Sequence, residues 1–186
     1  CGSGLHALAA LKLGAAEVVL IDIDRESVAT ARALLQRHAP GSRWRVMHAS
    51  IFDIDVSDLG QFEVVYSWGV LHHTGDMVRA LRAAAAFVGV GGVFVFALYR
   101  RTQCCRLWAL EKRWYARRSP RVQRIVQQIY FTLYRVGLAV TGRGFRRYVV
   151  TYRSARGMDF YHDAHDWLGG WPYESISAMD VDRLMG

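Results

Sequence analysis

The sequence has no apolar run long enough to cross a bilayer: its hydrophobic stretches are broken by charge or glycine well short of the roughly 20 residues a span requires. It opens on no signal-peptide pattern. Its three cysteines, Cys1, Cys104 and Cys105, form neither a CxxC pair nor a disulfide framework. These absences point to a reducing, cytoplasmic setting and exclude a disulfide-stapled secreted domain. There is no internal repeat and no low-complexity tract. The densest cluster of potential ligands, His162, Asp163, His165 and Asp166, matches no metal-site spacing, so no metal is expected. What is present is ample apolar content, 52% of 186 residues, enough for a sizeable core in one domain with an appended element.

Acid is nearly missing from one stretch. Between Arg100 and Arg156 there are 15 basic residues and a single acid, Glu111. The remainder holds 9 basic and 15 acidic residues, so a mildly acidic part carries a strongly basic one. Such asymmetry suits an anionic partner, either an anionic membrane or RNA, or else a solvated arginine-rich helical face.

Periodicity divides the chain near Tyr99. Before it, helical patterns (Leu5–Leu13, Glu26–His38, Met77–Phe87) alternate with β-branched or apolar runs (Glu17–Ile23, Trp44–His48, Phe62–Trp68, Val93–Tyr99). The second helix is expected to bury Val28, Ala31 and Leu35. Gly89–Gly92 reads as a turn ahead of the last strand. Alternation of this kind predicts an α/β fold: a Rossmann-like parallel sheet with helices on both faces. After Tyr99, Val122, Ile125, Val126, Ile129, Leu133, Val136 and Val140 recur at helical spacing, with arginines and glutamines between them. The stripe is expected to pack on its own domain, with an interfacial membrane helix as the alternative. The expected organisation is therefore a cofactor-binding core over 1–99 and a basic helical segment with an aromatic cap over 100–186.

Gly2 and Gly4 precede the first helix, where glycine lets the backbone turn sharply and approach a ligand at the helix N-terminus. Asp22 follows Gly2 by 20 residues, at the end of the next strand, where a carboxylate can accept from ribose hydroxyls. Asp24 is the other acid of this strand end and reads better as the start of the following helix. The loop and acid together indicate an adenosine-type cofactor on a Rossmann-like fold. They do not select it, because Gly2-x-Gly4-x-x-Ala7 also satisfies a relaxed dinucleotide fingerprint. No initiator Met and no strand precede this loop, so the first strand of the sheet is expected upstream of Cys1, and both chain ends are read as incomplete.

The segment Phe62-Glu-Val-Val-Tyr-Ser-Trp-Gly-Val-Leu-His-His-Thr-Gly-Asp76 resembles the fourth strand and following loop of class I S-adenosylmethionine-dependent methyltransferases. Cys1-Gly-Ser-Gly4 resembles the second half of that family's first motif. The turn that commonly reads K-P-G-G in the family is Gly89-Val-Gly-Gly92 here, without its proline. The likeness runs from Cys1 to about Tyr99 and is strongest to ubiquinone-biosynthesis-type O-methyltransferases. It implies S-adenosyl-L-methionine as cofactor, with Gly2 and Gly4 against its methionine part, Asp22 on the ribose and Ile23 against the adenine. Ser50 and Ile51 would flank the ring; the family often has aspartate at the Ser50 position to accept from the adenine amine, a role open here to Ser50 itself or to Asp53. Ser67 and Trp68 would floor the site near the transferred methyl, with His72 and His73 on the substrate side. The tail from Arg156 to Glu174 (RGMDFYHDAHDWLGGWPYE) resembles the ending of uncharacterised relatives.

Methyl transfer from a sulfonium needs alignment above all. A base helps when the nucleophile is a hydroxyl, and His73 and His72 are the candidates, with a loop-bracing role as the plainer alternative. Asp163, Trp167, Trp171 and Glu174 are expected on the acceptor side. The expected acceptor is a small hydroxylated or lipid-linked molecule, methylated on oxygen by a cytoplasmic, membrane-peripheral enzyme. Rival readings are an NAD(P)-dependent oxidoreductase and a non-catalytic nucleic-acid or membrane-binding module. Cys104 and Cys105 are read as inert packing.

Overall fold

The computed structural model describes residues 1–157 and 159–186; Met158 of the tail motif lies outside the described residues. The elements in chain order are α1 (Leu5–Lys12), β1 (Glu17–Asp22), α2 (Arg25–His38), β2 (Arg43–His48), the short α3 (Val56–Leu59), β3 (Phe62–Trp68), a 3₁₀ turn (Leu71–His73), α4 (Met77–Ala86) and β4 (Val88–Ala97). The helices α5 (Cys105–Ala116), α6 (Pro120–Val140), α7 (Phe145–Arg156), α8 (Phe160–Gly169) and α9 (Ala178–Met185) follow. The chain forms two compact units: residues 1–66 with 78–95, and residues 67–77 with 96–186. The loop after β3 thus belongs with the C-terminal helices, a different division from a simple cut at Tyr99.

In the first unit β1 and β2 pair in parallel, Glu17 with Arg43 through Asp22 with His48. Val28, Ala31 and Leu35 of α2 are buried against Leu20, Val46 and Leu8. Burial of this face, at about 2 kcal/mol per large aliphatic, holds α2 on the sheet. Asp24 starts α2 as its N-cap, its carboxylate accepting from the Glu26 and Ser27 N–H groups. β3 and β4 form a second two-stranded sheet, so the described strands make two short sheets where the alternating pattern predicts one. The α/β class is as expected.

Two elements depart from expectation. Gly89–Gly92 is not a turn; it lies inside β4. A Cβ on Gly92 would sit about 3.0 Å from the carbonyl oxygens of Phe62 and Glu63, so the absence of side chains lets this backbone run close along β3. The second departure is in α6. None of the seven aliphatic positions of its expected packing stripe is buried. Instead Phe131 and Leu138 are the buried residues, with Tyr130 and Tyr134 packed beside Phe131 against Tyr152, Phe160 and Ala164. Aromatic bulk on one face of α6 outcompetes the aliphatic stripe on another.

Candidate functional site

The first unit holds most of the residues expected at a cofactor; Ser67 and Trp68, also expected there, fall in the second unit. Gly2 and Gly4 both have left-handed backbone, φ +52° and +80°. They differ in surroundings. A Cβ on Gly4 would meet Ala31 Cβ at 2.9 Å and its Cα at 3.0 Å, whereas one on Gly2 would meet nothing within 4 Å. Gly4 therefore lets the start of α1 pack on α2, and Gly2 leaves open space at the turn. The Asp22 carboxylate closes this loop. Its Oδ2 accepts from the Gly2 N–H at 3.1 Å, and its Oδ1 accepts from the Asp24 N–H at 3.0 Å. Ile23, next along the chain, leaves 72% of its surface exposed. After β2, Ser50 and Ile51 are half-buried, and Ser50 Oγ accepts from the Phe52 N–H at 3.2 Å.

An adenosine-type cofactor fits these residues. A charged, fixed carboxylate keeps a lone pair on Oδ1 for a hydroxyl, an uncovered aliphatic side chain stands beside it, and the loop carries no side chain at Gly2. Ser50 fits less well as an acceptor for an adenine amine, since its oxygen already serves a local turn. Asp53 is exposed in the same loop.

The second unit holds the residues expected at the acceptor. Gly69 and Gly75, both at positive φ, bracket the turn that carries His72 and His73. Ser67 is half-buried and Trp68 exposed at the end of β3. The two histidines differ. His72 is 2% exposed, with the Tyr99 ring tilted against it at 4.0 Å and the His73 ring at 4.3 Å. Burial, reinforced by His73, pulls its pKa down to about 4, so it is neutral near pH 7. His73 is half-buried and its Nδ1 lies 2.6 Å from the Pro172 carbonyl oxygen. That carbonyl can only accept, so Nδ1 carries the proton and Nε2 is left as a base.

The tail segment braces this turn. The Glu174 N–H donates to the His72 carbonyl at 3.0 Å, and the Glu174 carboxylate accepts from the Met77 N–H at 2.9 Å, capping α4. Ile176 donates to the Tyr99 carbonyl, and Arg101 donates to the Ile176 carbonyl. Glu174 is therefore a brace; its pKa is raised, chiefly by burial. Trp171, 39% exposed, follows Gly170 in this segment and lies under the Arg113 guanidinium at 6.0 Å.

Asp163 and Trp167 line a cavity of about 340 Å³ whose other walls include Tyr99, Tyr130, Tyr134, Tyr148 and Tyr152, with Arg156 at its rim. Asp163 accepts from the Tyr152 hydroxyl, and the Tyr134 and Tyr148 hydroxyls pair at 2.7 Å. Among the described residues no hydrogen bond engages the Tyr99 or Tyr130 hydroxyl. Burial raises the pKa of both, so they remain protonated donors. Tyr99 also meets His73 edge-on at 5.5 Å, which links the cavity to the histidine turn. Sequence reasoning missed these tyrosines; spacing along α6 and α7 shows an aromatic face but not what it encloses.

Two other groups stand out. Lys112 is fully buried in α5, over the Trp167 ring at 3.9 Å, donating to the Trp167 carbonyl and lying 3.7 Å from Glu111. Cys105, at the start of α5, accepts from the Thr102 N–H at 3.1 Å and the Tyr173 hydroxyl at 3.5 Å. Burial opposes ionisation, but hydrogen bonds from Ser175, Thr102 and Tyr173 prevail and bring its thiol pKa to about 6. That is not the inert packing expected of it. In the His/Asp cluster, His162 pairs with Asp159 at 3.2 Å and His165 with Gln127 at 2.7 Å. Among the described residues no group of three or more potential ligands could hold a metal.

The methyltransferase domain family matches residues 1–96, and the chain belongs to that family. S-adenosylmethionine is the cofactor expected of it. The chain is 32% identical over 107 residues to an uncharacterized protein of Synechococcus sp., covering 55% of this chain and 25% of that one. It is 31% identical to a ribosomal protein L11 methyltransferase of Enterobacter sp. (50% of this chain, 31% of that one) and 30% identical to one of Chromobacterium violaceum (64% and 37%). The chain thus spans about a quarter to somewhat over a third of the length of these relatives.

Proposed function

We propose that this protein transfers the methyl group of S-adenosylmethionine to an oxygen of a small hydroxylated acceptor, of ubiquinone-precursor-like or other lipid-linked character. The cofactor, when bound, supplies an electrophilic methyl on a sulfonium. Gly2 and Gly4 give the backbone close approach to it, Asp22 accepts from its ribose hydroxyls, and Ile23 and Ile51 offer apolar surface to its adenine. Ser67 and Trp68 are assigned to the methyl end. His73 Nε2 takes the acceptor's proton as oxygen attacks, and His72, neutral and enclosed, supports the His73 ring. The tyrosine cavity, with Asp163 and Trp167 in its wall, receives a ring-sized acceptor; Glu174 acts by holding the histidine turn, and Trp171 is assigned to the acceptor side.

The observation that carries the acceptor reading is the His73 Nδ1 contact with the Pro172 carbonyl, which leaves Nε2 able to accept a proton. Methyl-labelled S-adenosylmethionine incubated with a panel of phenols tests it. Label in an aryl ether, with kcat lowered about a hundredfold or more in His73→Gln and cofactor affinity kept, is the expected result. The names of the L11 methyltransferase relatives favour a second reading, a ribosomal-protein acceptor. Label in ribosomal protein and in no phenol would replace the first reading with it. An anionic membrane surface or RNA is a second partner, separate from the acceptor, reached through Arg100–Arg156.

A further inference from the structure

The aliphatic stripe of α6 is not part of any core. Ile125, Ile129, Leu133, Val136 and Val140 are each more than half exposed, Val140 reaching 83%. At roughly 100° per residue these five positions fall within a quarter-turn of one another and run about 22 Å along the helix. The face of α6 that packs is a different one, built on Phe131 and Leu138. An uncovered apolar strip of this length calls for an occupant.

Charge narrows the choice. All fourteen arginines from Arg100 to Arg156 are exposed, while the segment's lysine is buried and its single acid is half-buried. The neighbouring α5 repeats the construction: Leu107, Leu110 and Trp114 are exposed at helical spacing among Arg106, Arg113, Arg117 and Arg118. A second copy of this chain would bring like charge against like charge. A nucleic acid would meet the arginines, but the Ile125–Val140 stripe itself is aliphatic and offers no ring to stack on bases. Aliphatic side chains flanked by arginine suit the acyl and headgroup layers of an anionic bilayer. No helix among the described residues is long and apolar enough to cross a membrane, so such a helix lies along the surface.

We propose that α6 seats this protein on an anionic lipid surface, its Ile125–Val140 stripe among the acyl chains and its arginines at the headgroups. The inference stands apart from methyl transfer, since it uses no residue assigned to cofactor or acceptor. The test is co-sedimentation of the full chain with vesicles of phosphatidylcholine alone or with about one-third phosphatidylglycerol. Binding is expected only to the anionic vesicles. Ile129→Asp with Leu133→Asp should weaken it at least about tenfold, and Arg121→Gln with Arg124→Gln should weaken it by roughly fivefold per charge removed. Both pairs are exposed, so an unchanged circular dichroism spectrum verifies folding. Equal binding to neutral vesicles, or binding indifferent to the paired aspartates, overturns the proposal. So does salt-sensitive retention on RNA unaffected by the aspartates, or a dimer that the aspartates abolish in a chain that binds no vesicle.

Discussion

Gly2 and Gly4 look alike in the sequence and should fail differently. Both have φ in the left-handed region, so alanine at either position meets a backbone cost of about 1 kcal/mol or somewhat more. At Gly2 that is the whole cost to folding, because the new methyl enters open space. At Gly4 the methyl would lie 2.9 Å from Ala31 Cβ and 3.0 Å from Ala31 Cα. Ala31 is completely buried in α2, and a helix backbone does not yield as a side chain does. Overpacking adds about 1–3 kcal/mol, for a total near 2–5 kcal/mol. Urea denaturation followed by circular dichroism gives the two values, and amide exchange places the loss in α1 and α2. The ligand behaviour should be inverted: Gly2→Ala keeps the fold and loses affinity for S-adenosylmethionine, since its methyl would occupy the open side of the loop. If Gly4→Ala is no more destabilising than Gly2→Ala, the packing of α1 on α2 is not what requires that glycine.

The remaining predictions concern the second unit. His72 is held neutral with a pKa near 4, below its ordinary 6.5. The fold therefore binds this proton less readily than the unfolded chain, and stability present above pH 6.5 should fall by about 3 kcal/mol as pH drops toward 4. His72→Phe should flatten that part of the pH profile of the urea midpoint; an unchanged profile would show that other groups dominate. Cys105 should react with iodoacetamide with half-maximal rate near pH 6, as peptide mapping would show. Lys112→Ala should cost about 3 kcal/mol, since it leaves Glu111 without its partner and removes the cation over Trp167. A thermal melt within a degree or two of the parent would refute that role.

The first hundred residues were largely legible because their information is periodic and local. Val28, Ala31 and Leu35 repeat at helical spacing and are buried together; Asp24 precedes α2 and caps it. The loop glycines and Asp22 are read from spacing alone, and Asp22 does reach back to the Gly2 N–H. The rest depended on contacts between distant parts of the chain. Nothing near Glu174 in sequence says that its carboxylate caps α4, or that Pro172 fixes the tautomer of His73, because each partner is nearly a hundred residues away. Gly89–Gly92 has the composition of a turn and becomes strand because β3 runs beside it. The α6 stripe shows most plainly what periodicity leaves open: it identifies an apolar face without saying whether protein or something else covers it. The decision fell to Phe131, Tyr134 and their aromatic partners on α7 and α8, which no helical wheel of α6 contains.

The central claim is that this chain carries an S-adenosylmethionine site built on Gly2, Gly4 and Asp22. Calorimetric titration of S-adenosylmethionine, with NADH as comparator, tests it most directly. Micromolar binding of S-adenosylmethionine, no binding of NADH, and loss of the former in Asp22→Ala with the fold retained are the expected results. Preference for NADH, or S-adenosylmethionine binding untouched by Asp22→Ala, would contradict it.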